Sequence, residues 1–300
     1  MKCQGIFLLL SILFISTIQY VHASLSKYPI SSYGTINYSS PIIIVDFEKD
    51  EHFQWGYGKG TAPIWDRCIQ MGEGEFVPST DIFHSGVRSA KLSLADPSTD
   101  HGRRLHIYQD WDSEKKDLTV EAWIYFPTEF VVNKWTHFLQ ILAERYHPIG
   151  TPWKPPYTEE LGIGIVICDS TKVGEGKYLL ETKLNHGWID NNHDGVNDLA
   201  PREYFWSKDP IIFGQWNHIK IYVHRGISDG IYKCWLNGNL QWDKRNARTM
   251  GLTIGRYNVD PSEVEVRISS GLSLYTIVDG TPKTAYFDDI VFDARLSSET

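Results

Sequence analysis

Residues 190–198 read Asp-Asn-Asn-His-Asp-Gly-Val-Asn-Asp. Oxygen-bearing side chains stand at the first, third, fifth and ninth places (Asp190, Asn192, Asp194 and Asp198), with Gly195 at the sixth for a sharp turn. A hard cation such as Ca2+ takes about 6–8 oxygen ligands, and alternate oxygen side chains let a loop wrap one, Val196 adding its backbone carbonyl. The twelfth place, where a helix-loop-helix site needs a bidentate glutamate, is Pro201, and neither flank reads as a helix. A paired-helix site is therefore excluded. The expectation is an isolated loop clamped by a structural, non-catalytic Ca2+.

A second set of reactive side chains recurs at every other position. Arg104, His106 and Tyr108 form one such row, Glu121, Trp123 and Tyr125 a second, and His218, Lys220, Tyr222 and His224 a third. Tryptophan and tyrosine rings stack on the apolar faces of pyranose rings, while long polar side chains reach hydroxyls and carboxylates. Cationic groups within an acidic chain favour an anionic polymer. At least two of these three rows are expected to border a common groove for an acidic polysaccharide.

Such rows need strands to hold them. Leu118, Val120, Ala122, Ile124 and Phe126 alternate with the second row, and Ile219, Ile221 and Val223 with the third. The same two-residue period covers Ala90 to Leu94 and Val264 to Ile268, and helical periodicity is nearly absent. Asp96-Pro97, Ser228-Asp229-Gly230, Asn237-Gly238 and Asp279-Gly280-Thr281-Pro282 supply turns. Many strands with one apolar face each predict an all-β fold, a two-sheet antiparallel β-sandwich.

The ends and composition set the context. Met1 to Ala23 has Lys2, an apolar run Ile6 to Ile15 and small residues before a cleavage point, the pattern of a secretory signal peptide. The apolar run falls short of the roughly 20 residues that span a bilayer. A secreted, extracellular protein is expected, with an exposed lead-in over 24–41 and one domain over 42–297 carrying a long loop around 181–210. Loss of Lys2 makes the formal net charge of −8 one unit more negative. That argues against nucleic acid, whose phosphates need a basic surface. Cys68, Cys168 and Cys234 then remain, an odd number that allows three pairings, at most one at a time. None has metal-ligand spacing.

In segment order the chain resembles the concanavalin A-like jelly rolls, and among them polysaccharide lyases of the heparin lyase I and glucuronan lyase kind. The resemblance is carried by His84-Ser85-Gly86-Val87-Arg88-Ser89-Ala90-Lys91-Leu92, Gly102-Arg103-Arg104-Leu105 and Val120-Glu121-Ala122-Trp123-Ile124-Tyr125-Phe126-Pro127. Trp135 to Gln140, Gly214-Gln215-Trp216-Asn217-His218, Gly230 to Gly238, Leu274-Tyr275-Thr276 and Tyr286-Phe287-Asp288-Asp289-Ile290 continue it. It implies a jelly roll and cleavage of uronate chains by β-elimination, in which one group neutralises the carboxylate, a base removes the C5 proton and a tyrosine protonates the leaving oxygen.

Such lyases carry Gln-x-His on one strand, where this chain has Gln140-Ile141-Leu142. They also carry Lys-x-Gly-x-Tyr on the last core strand, where it has Gly271-Leu272-Ser273-Leu274-Tyr275. Gln140 and Tyr275 are retained; the histidine and lysine are not. His106, His218 or His224 could replace the base and Arg104 the neutraliser, while strict alternation puts His137 on the opposite face from Gln140, in the core. A non-catalytic, lectin-like glycan-binding module is the alternative. A hydrolase would need two facing carboxylates, and no Glu-x-Asp-x-x-Glu motif is present.

Calorimetric titration of the protein with Ca2+ is expected to give binding heat and a raised Tm. No heat together with an unchanged Tm would refute the loop site.

Overall fold

In the computed structural model the apolar residues that alternate over 118–126 and 219–223 turn inward. The model describes residues 42–53, 65, 67–71, 74–95, 103–111, 115–132, 135–146, 158–169, 178–185, 203–226, 228–247, 249, 265–276 and 281–295. Residues 1–41, over which a signal peptide and a lead-in are expected, and residues 190–198 lie outside these residues. The elements are β1 (Ile42–Val45), a 3-10 turn (Asp50–Phe53), β2 (Arg67–Met71), β3 (Gly74–Ser79), β4 (Ser89–Leu94), β5 (Arg103–Trp111), β6 (Asp117–Tyr125) and β7 (Trp135–Tyr146). They continue as β8 (Thr158–Asp169), β9 (Tyr178–Asn185), β10 (Glu203–Pro210), β11 (Trp216–His224), β12 (Gly230–Leu236), β13 (Asn239–Ala247), β14 (Glu265–Thr276) and β15 (Lys283–Arg295). Among the described residues, no helix is long and apolar enough to cross a membrane.

Two antiparallel sheets form the sandwich. One runs β13-β12-β11-β6-β15-β4-β3 with β1 on β15; the other runs β10-β9-β8-β7-β14-β5-β2. Their inner faces share one core, in which Val120, Ala122, Ile124, Ile219, Ile221 and Phe292 of the first meet Ile107, Leu139, Ile141, Ile165 and Leu272 of the second. Phe126 and Phe138 touch edge-to-face across it, ring centroids 5.4 Å apart. Asn237 and Gly238, at φ 50° and 82°, make the β12–β13 turn, a geometry that suits Asn-Gly because both positions need positive φ.

Two irregularities shape the outer faces. In β7, Phe138 and Leu139 are consecutive and both fully buried in the core. The β7–β8 register slips there: His137 pairs with Val166 and Leu139 with Ile165, which leaves Phe138 as the extra residue of a β-bulge. A bulge reverses which side of the sheet the following residues face. In β15 the register slips between Asp288 and Val291, with Asp289 at φ 46°.

Candidate functional site

The bulge corrects the expected place of His137. Simple alternation puts it opposite Gln140, but the extra residue at Phe138 turns His137, Trp135 and Gln140 to one side while Phe138, Leu139 and Ile141 fill the core. Against β8, His137 and Gln140 oppose Val166 and Gly164, two residues apart, so they are same-face neighbours about 7 Å apart along the strand. The strand thus carries a histidine and a glutamine at the effective spacing of Gln-x-His, in reversed order.

On the other side of β7, Tyr275 of β14 pairs with His137, and the two rings lie edge-to-face with centroids 6.2 Å apart. Trp135 closes the cluster, 5.0 Å from Tyr275 and 6.3 Å from His137. All four side chains are half-buried. Gln140 is flanked by glycine on both neighbouring strands, Gly164 of β8 and Gly271 of β14. In β5, Arg104, His106 and Tyr108 take the register positions opposite Tyr275, Ser273 and Gly271.

The remaining residues of the expected groove lie elsewhere. β5 belongs to the seven-stranded sheet, whereas β6 and β11 are neighbours in the other, because the chain crosses between sheets after β5. The core therefore separates His218, Lys220, Tyr222, His224, Glu121, Trp123 and Tyr125 from Gln140 and Tyr275: the β6 and β11 rows share one outer face, and the β5 row lies in the other sheet. His218 and His224 are excluded from that cluster.

The β6 and β11 residues pair with one another on the second outer face. His218 Nε2 lies 2.8 Å from Glu121 Oε1 and Lys220 Nζ 3.1 Å from Glu121 Oε2. Tyr222 donates its hydroxyl to Asp117 Oδ1 at 2.7 Å, and His224 Nδ1 is 2.9 Å from the same oxygen. Trp123 is stacked between His84 (3.8 Å, 15°) and His218 (4.7 Å, 30°). His84 is held there by Asp289, 2.7 Å from its Nδ1, and by its own N–H to Asp288 Oδ2 at 2.8 Å. Burial pushes the Asp288 carboxyl up to about 6, against the opposing pull of the His84 and Ser85 N–H donors.

Cys234 sits in the core, where burial raises its thiol far above the ordinary range, so it is no nucleophile. Cys168 is also buried, in β8 at the register position opposite Trp135. Among the described residues, no group of three or more His, Cys, Asp or Glu is arranged to hold a metal ion; Asp190, Asn192, Asp194, Val196 and Asp198 lie outside them.

No protein-family model and no curated protein sequence matches the chain. Solved structures do. An endo-β-1,4-glucuronan lyase from the fungus Trichoderma reesei is similar with a TM-score of 0.54 and 10% identity, over 77% of this chain and 91% of that one. The fold is a two-sheet β-sandwich of the jelly-roll kind. An alginate lyase, vAL-1 from Chlorella virus, is similar at TM-score 0.48 and 12% identity over 77% and 93% of the two chains. The carbohydrate recognition domain of Emp47p is similar at 0.42 and 11%, over 78% and 91%. At these identities the likeness is one of fold, and the chemistry of this jelly roll rests on its own side chains.

Burial would raise the Glu121 carboxyl, but the hydrogen bonds and charges of Lys220 and His218 outweigh it and hold the group below its usual 4.5. A carboxyl lowered in the folded state stabilises the fold above its unfolded value, and that contribution is lost as pH falls through the folded one. Urea titrations from neutral pH to about pH 3 should show Glu121→Gln losing less stability than the wild type, by about 0.5–1 kcal/mol. Identical acid limbs would contradict this pairing.

Proposed function

We propose that the protein is an exported carbohydrate-active enzyme that cleaves a uronate-containing polysaccharide by β-elimination on the outer face of the seven-stranded sheet. The observation that carries the proposal is the β7 bulge, which sets His137 beside Tyr275 and on the face of Gln140. The jelly roll shared with the glucuronan lyase supports a carbohydrate ligand.

In this reading the Gln140 amide donates to the substrate carboxylate, with Arg104, at the register position opposite Tyr275, adding charge neutralisation. That neutralisation makes the C5 hydrogen acidic. His137 takes the proton, the electron pair forms the C4–C5 double bond, and the C4–O bond of the glycosidic link breaks. Tyr275 gives its hydroxyl proton to the departing oxygen, and the two rings then exchange the proton back, directly or through water. Trp135 packs against both rings and fixes their mutual angle. His106 neighbours Arg104 two places along β5 and is assigned to substrate contact, as is Tyr108 opposite Gly271. A structural Ca2+ on the 190–198 loop belongs to the same proposal and takes no step in the chemistry.

Ultraviolet absorbance of the unsaturated uronate product, followed on polyglucuronate, polymannuronate and polyguluronate, tests the reaction. The wild type is expected to release product from at least one polymer, and His137→Ala, Gln140→Ala and Tyr275→Phe each to lose about 10²–10⁴-fold in rate. Unchanged rates would remove the residue concerned from the mechanism. Retention of the wild type in polymer-containing gels without any product would instead establish the lectin-like alternative.

A further inference from the structure

At the β10 end of the same sheet's strand order, two aromatic rings are exposed. Tyr204 and Trp206 are 44% and 42% exposed, and their rings are near-parallel (16°) with centroids 6.0 Å apart. Between them, Phe205 turns the other way, against Tyr232 and Trp242. The pair therefore stands on a strand anchored from beneath. Trp206 donates its Nε1–H to Glu181 Oε2 at 3.0 Å, which fixes the indole in the plane it shows to solvent. Lys208 and Asp209 N–H groups both donate to Gln241 Oε1 of β13, at 2.8 and 3.0 Å, tying the strand's far end to the other sheet.

The register connects this edge to the proposed centre. Reading across the strands, Trp206 opposes Glu181, Glu181 opposes Val166, Val166 opposes His137, and His137 opposes Tyr275. Two residues along, Tyr204 opposes Lys183, Lys183 opposes Gly164, and Gly164 opposes Gln140. Two exposed aromatic rings thus head the same two rows that carry the histidine and the glutamine. Three strand spacings, about 14 Å, separate the rings from His137 and Gln140, with Glu181 and Lys183 of β9 and Val166 and Gly164 of β8 at the register positions between.

We infer that Tyr204 and Trp206 form a distal sugar subsite, on which a polysaccharide lying across the strands stacks the apolar face of a unit a few residues from the bond that breaks. Exposed, rigidly held aromatic rings give contact area at little entropic cost. Glu181 can only accept a hydrogen bond, so the occupant presents a hydroxyl to it and turns its carboxylate away. The inference rests on the reading of this face as the polysaccharide groove.

Affinity electrophoresis of the whole protein through gels containing polyglucuronate or polymannuronate tests it, with product absorbance measured separately. Trp206→Ala and Tyr204→Ala are each expected to raise the apparent Kd for the retarding polymer about tenfold, by analogy with other planar-ring stacking contacts. Trp206→Phe, which keeps a ring and loses the Glu181 bond, should recover part of the loss, and circular dichroism should show all three folded. Retention of both alanine variants within twofold of the wild type overturns the subsite, whatever the absorbance shows. Failure of either gel to retard the wild type overturns it too. If the wild type is retained and weakened by both alanine changes yet releases no product, the subsite stands and the elimination chemistry falls.

Discussion

Everything proposed for this jelly roll depends on one extra residue in β7. Phe138 and Leu139 both enter the core, and a strand that buries two consecutive side chains cannot keep its two-residue alternation. The gain is a phenylalanine filling the core against Phe126. The consequence on the other side of the sheet is that a histidine which strict alternation would bury faces outward beside a tyrosine. Core packing, not a property of the site itself, therefore sets the composition of the outer face.

The two outer faces are built on different principles. On β6 and β11 the charged and polar groups satisfy one another: Glu121 serves His218 and Lys220, and Asp117 serves Tyr222 and His224. Such cross-strand pairs use up the hydrogen-bonding capacity that a ligand would need. On the seven-stranded sheet Gln140 lies between Gly164 and Gly271, and His137 between Val166 and Tyr275.

Much of the sandwich was legible in the sequence, because half-buried strands must alternate and Leu118 to Phe126 and Ile219 to Val223 do so without interruption. Asn237-Gly238 announced its turn for an equally local reason. What alternation cannot supply is the sheet to which each strand belongs. The polar rows on β5 and β6 look alike in sequence, yet the crossover between them sends the two rows to opposite sides of the core. Gln140 and Tyr275 were visible as candidates through the family resemblance. His137 was placed in the core because a two-residue count from Gln140 passes through the bulge; the adjacent apolar pair Phe138-Leu139, bracketed by Thr136 and Ile141, was the signal that the count fails there. The exposed pair on β10 gave no such warning, since aromatic residues at alternate positions are as common in cores as on binding faces.

The central claim is that His137 and Tyr275 act as one unit. A double-mutant cycle on product formation, comparing His137→Ala, Tyr275→Phe and the double variant, tests it most directly. The account predicts a double variant no slower than the more damaged single one. Losses that multiply, with the double variant slower by the product of the two single effects, would contradict it.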